Sequence, residues 1–292
     1  MQKKVLVISG DNLGLRFDQI NYPDIRFINY PVLINGREHR ETESYTAFWL
    51  IDRYKKDKIV AKSTSLIKGD VIDIIEKNKD RYDLIIHIVM SGTMSQATFA
   101  LAENIKEMFK DTIPIINIDT RQVSGGVGVV LLRILDVLKE TSDPEKIIRK
   151  AKPIVENTFS LFVMADLNYL FRGGRIGKAK ALLGSVLKII PLVGLFGDDP
   201  EGVITPVGKG RTFKQVNTLI IDTILEKMKE KLYSRAKLIN IISFNDNPEA
   251  VSDLKKKVRS SIACDKLITG EPRLVEAVYY GPGSYGIFIS LA

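Results

Sequence analysis

Three hydroxyl-rich turns and one glycine–arginine segment are the places where this sequence could do chemistry. Met90-Ser91-Gly92-Thr93-Met94-Ser95 follows an apolar, strand-like run and precedes a helical pattern. Ser or Thr at such a junction caps the helix, and the free N–H groups of the first turn make a site for an anion; the same residues also read as a plain N-cap. Ser63-Thr64-Ser65, with Gly69-Asp70 beyond, is a second such turn after the strand-like Ile59–Ala61. Ligands of open parallel sheets lie beyond the carboxyl ends of the strands, so two such turns on one edge suggest a pocket for a carboxylate or phosphate. A third turn, Asp119-Thr120-Arg121 with Ser124-Gly125-Gly126, matches neither a P-loop nor a dinucleotide fingerprint and reads as a close-packed strand-to-helix turn. In Gly173-Gly174-Arg175-Ile176-Gly177 the arginine offers a fork of donors to an oxyanion and the glycines allow close backbone approach. A glycine helix cap followed by an exposed arginine is the other reading.

Other chemistries find little support. A nucleophilic serine needs a base against it, and the two histidines are His39, on a predicted hairpin, and His87, inside an apolar strand. No Gly-x-Ser-x-Gly elbow occurs, neither histidine has a ligand at metal-site spacing, and the single Cys264 excludes a disulfide framework or a cysteine-based zinc cluster. With 45% apolar and 27% charged residues over 292 positions, the chain can bury a substantial core. The net charge of +8 is scattered among acidic residues, and its densest cluster, Lys255-Lys256-Lys257 with Arg259, falls on a helical pattern as a solvated face; nucleic-acid binding is not expected. The longest apolar stretch, Ala181–Phe196, is interrupted by Gly184, Lys188, Pro191 and Gly194 and is too short for a span. No membrane insertion is expected, and with no secretory leader at the opening the expected compartment is the cytoplasm.

The elements that must position these residues alternate in the first half. Strand-like runs at Val5–Ser9, Ile25–Leu33, Ile59–Ala61, Leu84–Met90 and Ile113–Ile118 are separated by helical patterns at Tyr45–Lys56, Asp70–Asn78, Ser95–Phe109 and Val127–Glu140. That pattern predicts βα units around a mostly parallel sheet, with a hairpin at Asn35-Gly36. A bridging helix over Asp143–Asn157 leads to a second half with clustered strands and grouped helices: Leu161–Met164, helix Phe213–Tyr233, Leu238–Phe244, a helix from Pro248, and two final strands flanking Gly281-Pro282-Gly283. The expected fold is α/β: an N-terminal α/β/α domain over residues 1–157 carrying the hydroxyl-rich loops, and a C-terminal α+β domain over 158–292.

The blocks Ser63–Asp70, Ser91-Gly92-Thr93 with Ser95-Gln96-Ala97, Ile118-Asp119-Thr120 with Gly125 and Gly128, Leu170 through Arg175-Ile176, Pro191, Gly202, Arg211 and Gly281-Pro282-Gly283 fall in one order. In that order the chain resembles the DegV family over almost its whole length, the Ser-Gly-Thr and Gly-Gly-Arg-Ile blocks being the most specific. The resemblance implies a protein that holds a long-chain fatty acid between two domains and has no chemistry of its own. Some family members are the carrier subunit of a bacterial fatty-acid kinase, so a kinase subunit is the implied partner; no cofactor or metal is implied.

Carried over residue by residue, the resemblance places the carboxylate at Ser63, Thr64, Ser91, Gly92, Thr93 and Tyr279, with Arg175 near the head group and Arg211 at a kinase contact. Three departures stand out: Ser63-Thr64-Ser65-Leu66-Ile67 replaces a Thr-Ser-Gln-Pro-Ser motif, Ser9-Gly10-Asp11 replaces an early Asp-Ser, and Tyr279 stands where a histidine is common. Tyrosine donates a hydrogen bond but carries no positive charge near neutral pH. A sixteen-carbon tail contributes on the order of 10 kcal/mol at about 0.8 kcal/mol per buried methylene, so an apolar tunnel is required. Leu182, Leu183, Leu187, Ile190, Leu192 and Leu195 are candidates to line it, or plain core residues. Two rival readings have discriminating observations: nucleotide turnover for a phosphate-handling enzyme using the glycine turns, and salt-sensitive DNA binding for a basic regulatory protein.

Overall fold

A computed structural model describes residues 3–57, 59–183 and 189–292. Val5–Gly10 (β1) is buried at every position, as a strand flanked by parallel neighbours and covered on both faces has to be. Ile25–Ile28 (β2), Val32–Ile34 (β3), Arg37–His39 (β4), Ala47–Lys56 (α1) and Ala61–Ser63 (β5) come next, then Lys68–Glu76 (α2), Leu84–Val89 (β6), Gln96–Met108 (α3), Ile115–Asp119 (β7), Gly125–Glu140 (α4) and Pro144–Glu156 (α5). The order β2-β1-β6-β7 makes a wholly parallel four-stranded sheet.

The second part contains Thr158–Val163 (β8), Asn168–Arg172 (α6), Ile190–Phe196 (β9), Thr205–Gly210 (β10), Phe213–Glu230 (α7), Ala236–Ser243 (β11), Pro248–Ser261 (α8), Cys264–Thr269 (β12), Leu274–Tyr280 (α9) and Tyr285–Ser290 (β13). Its six-stranded sheet runs β10-β9-β8-β13-β11-β12, antiparallel except for the β11–β12 pair. An α/β/α part thus precedes an α+β part, the expected class. Among the described residues no helix is long and apolar enough to cross a membrane.

The two sheets meet through α4. Every residue from Gly125 to Leu131 is buried, and the polar stripe of Arg133, Asp136 and Lys139 appears only in the second half; a segment apolar on every side has to be covered on every side. It packs on β8, β11 and β13 in one direction and on β6 and α5 in the other. Close approach is possible because a side chain at Gly125 would strike the Phe288 ring and one at Gly128 would strike the Leu13 carbonyl.

Three expectations are corrected. Ile25–Leu33 is not one strand: Pro31 lacks an N–H and restrains the residue before it, and the Tyr30 N–H donates to Asp11 Oδ1 at 3.1 Å instead of joining a ladder. The strand expected at Ile59–Ala61 lies at Ala61–Ser63, and it pairs with β3 in a separate three-stranded sheet, β4-β3-β5, outside the parallel one. The piece before Gly281-Pro282-Gly283 is helix α9, not a strand. Six of its seven residues are buried, so no polar face marks its period, and a short apolar run of this kind is ambiguous by pattern alone. The hairpin at Asn35-Gly36 forms as expected, with both residues at positive φ.

Gly128→Ala in an open helix would gain about 1 kcal/mol. Here it is expected to destabilise the fold by roughly 2 kcal/mol or more, because the added methyl group meets a backbone carbonyl. Urea unfolding of the variant against the parent measures the sign.

Candidate functional site

A cavity of about 190 Å³ lies beyond the carboxyl ends of the parallel strands, far more than the roughly 10–15 Å³ that one water needs. Asn12 follows β1, Tyr30 follows β2, Met90 follows β6, and Val123 and Ser124 follow β7; together they form the wall on the parallel-sheet side. Phe162, Met164, Leu170, Ile204 and Val275 form the apolar wall contributed by the second part. Ser63, Thr64, Ser65, Met94, Ser95, Ala97, Arg175, Glu276, Tyr279 and Tyr280 complete the lining.

Ser63 Oγ and Tyr279 Oη share a short hydrogen bond that ties β5 to α9 across the cavity. The Tyr279 ring is held in place by Gly173, where a Cβ would overlap it. Two residues on, Arg175 donates from Nη1 to the Gly173 carbonyl at 2.8 Å and from Nε to the Met94 carbonyl at 3.3 Å. Neutral carbonyls orient this guanidinium, and among the described residues no carboxylate forms an ion pair with it, so its charge is available to an anion.

Elsewhere on the wall a buried carboxylate appears. Glu276 is 4% exposed, accepts from Ser124 Oγ, and accepts from the Arg273 N–H at 2.6 Å. Tyr280 Oη lies 3.1 Å from the same Ser124 Oγ. Burial pushes Glu276 up to about 7 against these donors. Burial likewise raises Glu41, which accepts from the Leu274 N–H, to about 7, and Asp11 to about 6. Arg273 stands among them, 3.8 Å from Glu41.

The structure brings Ser63, Thr64, Arg175 and Tyr279 together at the cavity. Ser91, Gly92 and Thr93 are not among its lining residues. Ser91 is buried, and its Oγ accepts from the Met94 N–H at 3.3 Å, closing the turn before α3; the helix's own N-cap is Ser95, whose side chain makes no cap bond. The Gly92 N–H donates to the Asp119 carboxylate at 3.2 Å, so the turn's amide already has an anionic partner. Thr93 is exposed and lies against Gly202. Arg211 is exposed in the loop between β10 and α7, its N–H donating to Gln215 Oε1.

The leucine candidates are also elsewhere. Leu182 and Leu183 are half-buried against the core and do not line the cavity. Ile190 and Leu192 pack into the core on the far face of the six-stranded sheet, whereas Leu195 is buried on the near face without reaching the cavity. Strand β9 is apolar because both of its faces are covered, and alternation sends Leu192 and Leu195 to opposite sides. Leu187 lies outside the described residues. Asn12, Tyr30, Phe162, Met164 and Glu276 were not singled out from sequence. The strand-end rule applied to the first strand would have found Asn12, and a lone acid in the apolar run Leu274–Tyr280 was the signal for Glu276. His87 sits buried in β6, with burial holding it down at about 4, and among the described residues no group of three or more His, Cys, Asp or Glu side chains could hold a metal ion.

Residues 4–292 match the model of the DegV family. A DegV domain-containing protein of Clostridium perfringens is 26% identical over 289 residues, 97% of each chain. Among solved structures, a DegV family protein of Thermus thermophilus described as binding fatty acid superposes with a TM-score of 0.88 at 23% identity, covering 99% of this chain and 100% of the other. DegV of Bacillus subtilis, described as a fatty acid binding protein, gives 0.83 at 22% identity over 100% of both chains. A stearic acid-binding protein of Eubacterium ventriosum gives 0.82 at 19% identity, covering 99% and 98%. At these identities the structural likeness establishes the shared fold.

Folded Glu276 takes up its proton near pH 7, whereas the unfolded chain keeps the group ionised down to its ordinary 4.5. Between those values the folded state holds the extra proton, so this group adds stability as pH falls and loses it as pH rises through 7. Glu276→Gln is therefore expected to gain stability relative to the parent, by on the order of 2–3 kcal/mol, on going from pH 5 to pH 8. Urea unfolding at both pH values checks it; a constant difference would mean that Glu276 titrates normally.

Proposed function

Because the chain belongs to the DegV family, we propose that it binds a long-chain fatty acid in this cavity and acts as a carrier without chemistry of its own. The observation that carries the reading is a predominantly apolar cavity with hydroxyls and an unpaired guanidinium on its wall. A hydrocarbon tail supplies the affinity, about 0.8 kcal/mol per buried methylene. A carboxylate taken out of water needs partners, or it costs several kcal/mol. Ser63 and Tyr279 have two hydroxyl protons between them and spend one on each other, leaving one donor for the ligand. Thr64 stands beside them, and Arg175 supplies the charge. Ser91 stays in the proposed head-group set from behind the wall: it does not line the cavity, but its Oγ accepts from the N–H of Met94, which does and whose carbonyl orients Arg175.

In the finer version of this reading, a kinase subunit docks near Arg211 and phosphorylates the bound carboxylate while Arg175 holds the phosphate. The likeness to solved fatty-acid-binding DegV proteins supports the ligand class; the kinase step rests on the family resemblance alone.

Native mass spectrometry of the purified protein is expected to show a co-purifying acyl chain. Tyr279→Phe and Ser91→Ala are expected to retain less of it, and Arg175→Gln to weaken palmitate binding by about tenfold, the loss of one charge-assisted bond. Equal lipid content in parent and variants would reject the head-group assignment. Partner-dependent acyl-phosphate formation is expected to fall in Arg211→Glu; no formation with any kinase subunit would leave a pure carrier.

A further inference from the structure

Part of the cavity wall is wrong for plain hydrocarbon. Asn12 is 5% exposed and lines the cavity, yet its carboxamide oxygen accepts no hydrogen bond among the described residues. Its Nδ2 donates only to the thioether of Met90, at 3.8 Å, and a thioether is a weak acceptor. Tyr30 Oη turns to the same sulfur at 3.3 Å. On the α9 side stand the Glu276 carboxylate and Ser124 Oγ, bonded to each other. Each Glu276 oxygen has one described partner and a second lone pair free. These groups share the cavity with Phe162, Met164 and Val275, and a methylene chain lying against them would leave the Asn12 carboxamide oxygen without a partner.

We propose that the fatty acid this cavity is built for carries a hydroxyl on its chain, read by Asn12 and by the Ser124–Glu276 pair. The hydroxyl donates to a carboxylate oxygen of Glu276 or to Asn12 Oδ1 and accepts from Asn12 Nδ2, using one donor and one acceptor that the protein leaves open. Glu276 and Tyr279 are three residues apart on α9, about one helical turn. The substituent therefore belongs to the stretch of chain that passes one turn along α9 from the proposed head-group site. This inference rests on the fatty-acid reading and narrows it to hydroxylated acids.

Binding of palmitate and stearate is to be compared by calorimetry with 3-hydroxypalmitate, 10-hydroxystearate and 12-hydroxystearate, using the delipidated full chain. At least one hydroxylated acid is expected to bind about tenfold or more tighter than its plain counterpart, the effect of a hydrogen bond to a charged or buried polar group. Asn12→Leu is expected to bring that ratio close to one, and Ser124→Ala to reduce it. If plain acids bind and no hydroxylated acid binds tighter, the hydroxyl site is rejected while the carrier reading stands. If neither kind binds, both fall. A preference that survives unchanged in folded Asn12→Leu and Ser124→Ala proteins would also overturn the assignment.

Discussion

A helical segment buried on every side has to be enclosed, and the first two turns of α4, Gly125–Leu131, are the element on which this molecule closes. Its glycines let Phe288 of one sheet and the Leu13 backbone of the other part come into contact with it. With α4 seated, the carboxyl ends of β1, β2, β6 and β7 face β8 and α9 across a gap that neither side can fill. The cavity follows from that arrangement: the strand ends expose polar loop residues, and the opposite wall exposes the apolar side chains of a sheet core. Its mixed lining is a consequence of joining two different kinds of surface.

The polar groups of the lining differ in how far they are satisfied. Ser63 and Tyr279 complete one bond and keep one proton. Arg175 is positioned by two carbonyls with its charge unanswered. Glu276 is buried with two donors, which do not offset its desolvation, and it shares Arg273 with Glu41 and Asp11. Buried carboxylates so close together repel one another when ionised, and desolvation adds to the cost. The protein tolerates the cost beside its cavity, where perturbed groups are more often found than in an ordinary core.

How much of this was legible in the sequence depended on whether an element's environment left a mark on its residues. Runs such as Val5–Ser9 and Leu84–Met90 announced buried parallel strands, because burial on both faces demands continuous apolar residues. Asn35-Gly36 announced its turn through the backbone it requires. In contrast, α9 has so little exposed surface that its helical period is invisible, and Val275, Val278, Tyr279 and Tyr280 favour a strand by type alone. Ala61–Ser63 was legible as a strand but not as a member of a different sheet, since pairing partners are tertiary facts. The cavity suffered most from this. Its apolar wall comes from Phe162, Met164 and Ile204, scattered over one strand and two loops, while the conspicuous run Ala181–Phe196 owed its apolar character in β9 to two packed faces. Ser63 and Tyr279 could be paired only through a family pattern, because 216 residues separate them.

The position of β13 has a consequence for how the molecule is made. It follows every other strand of its sheet in the chain, yet it sits in the middle, hydrogen-bonded to β8 on one side and β11 on the other. Until it emerges from the ribosome, those two strands present open edges, the kind of surface on which nascent chains mispair. α9, which immediately precedes it, carries Glu276 and Tyr279, so the cavity is assembled in the same late event that seals the sheet. A partly synthesised chain has no such chamber, and whatever it is to hold has nowhere to lodge before the fold is complete.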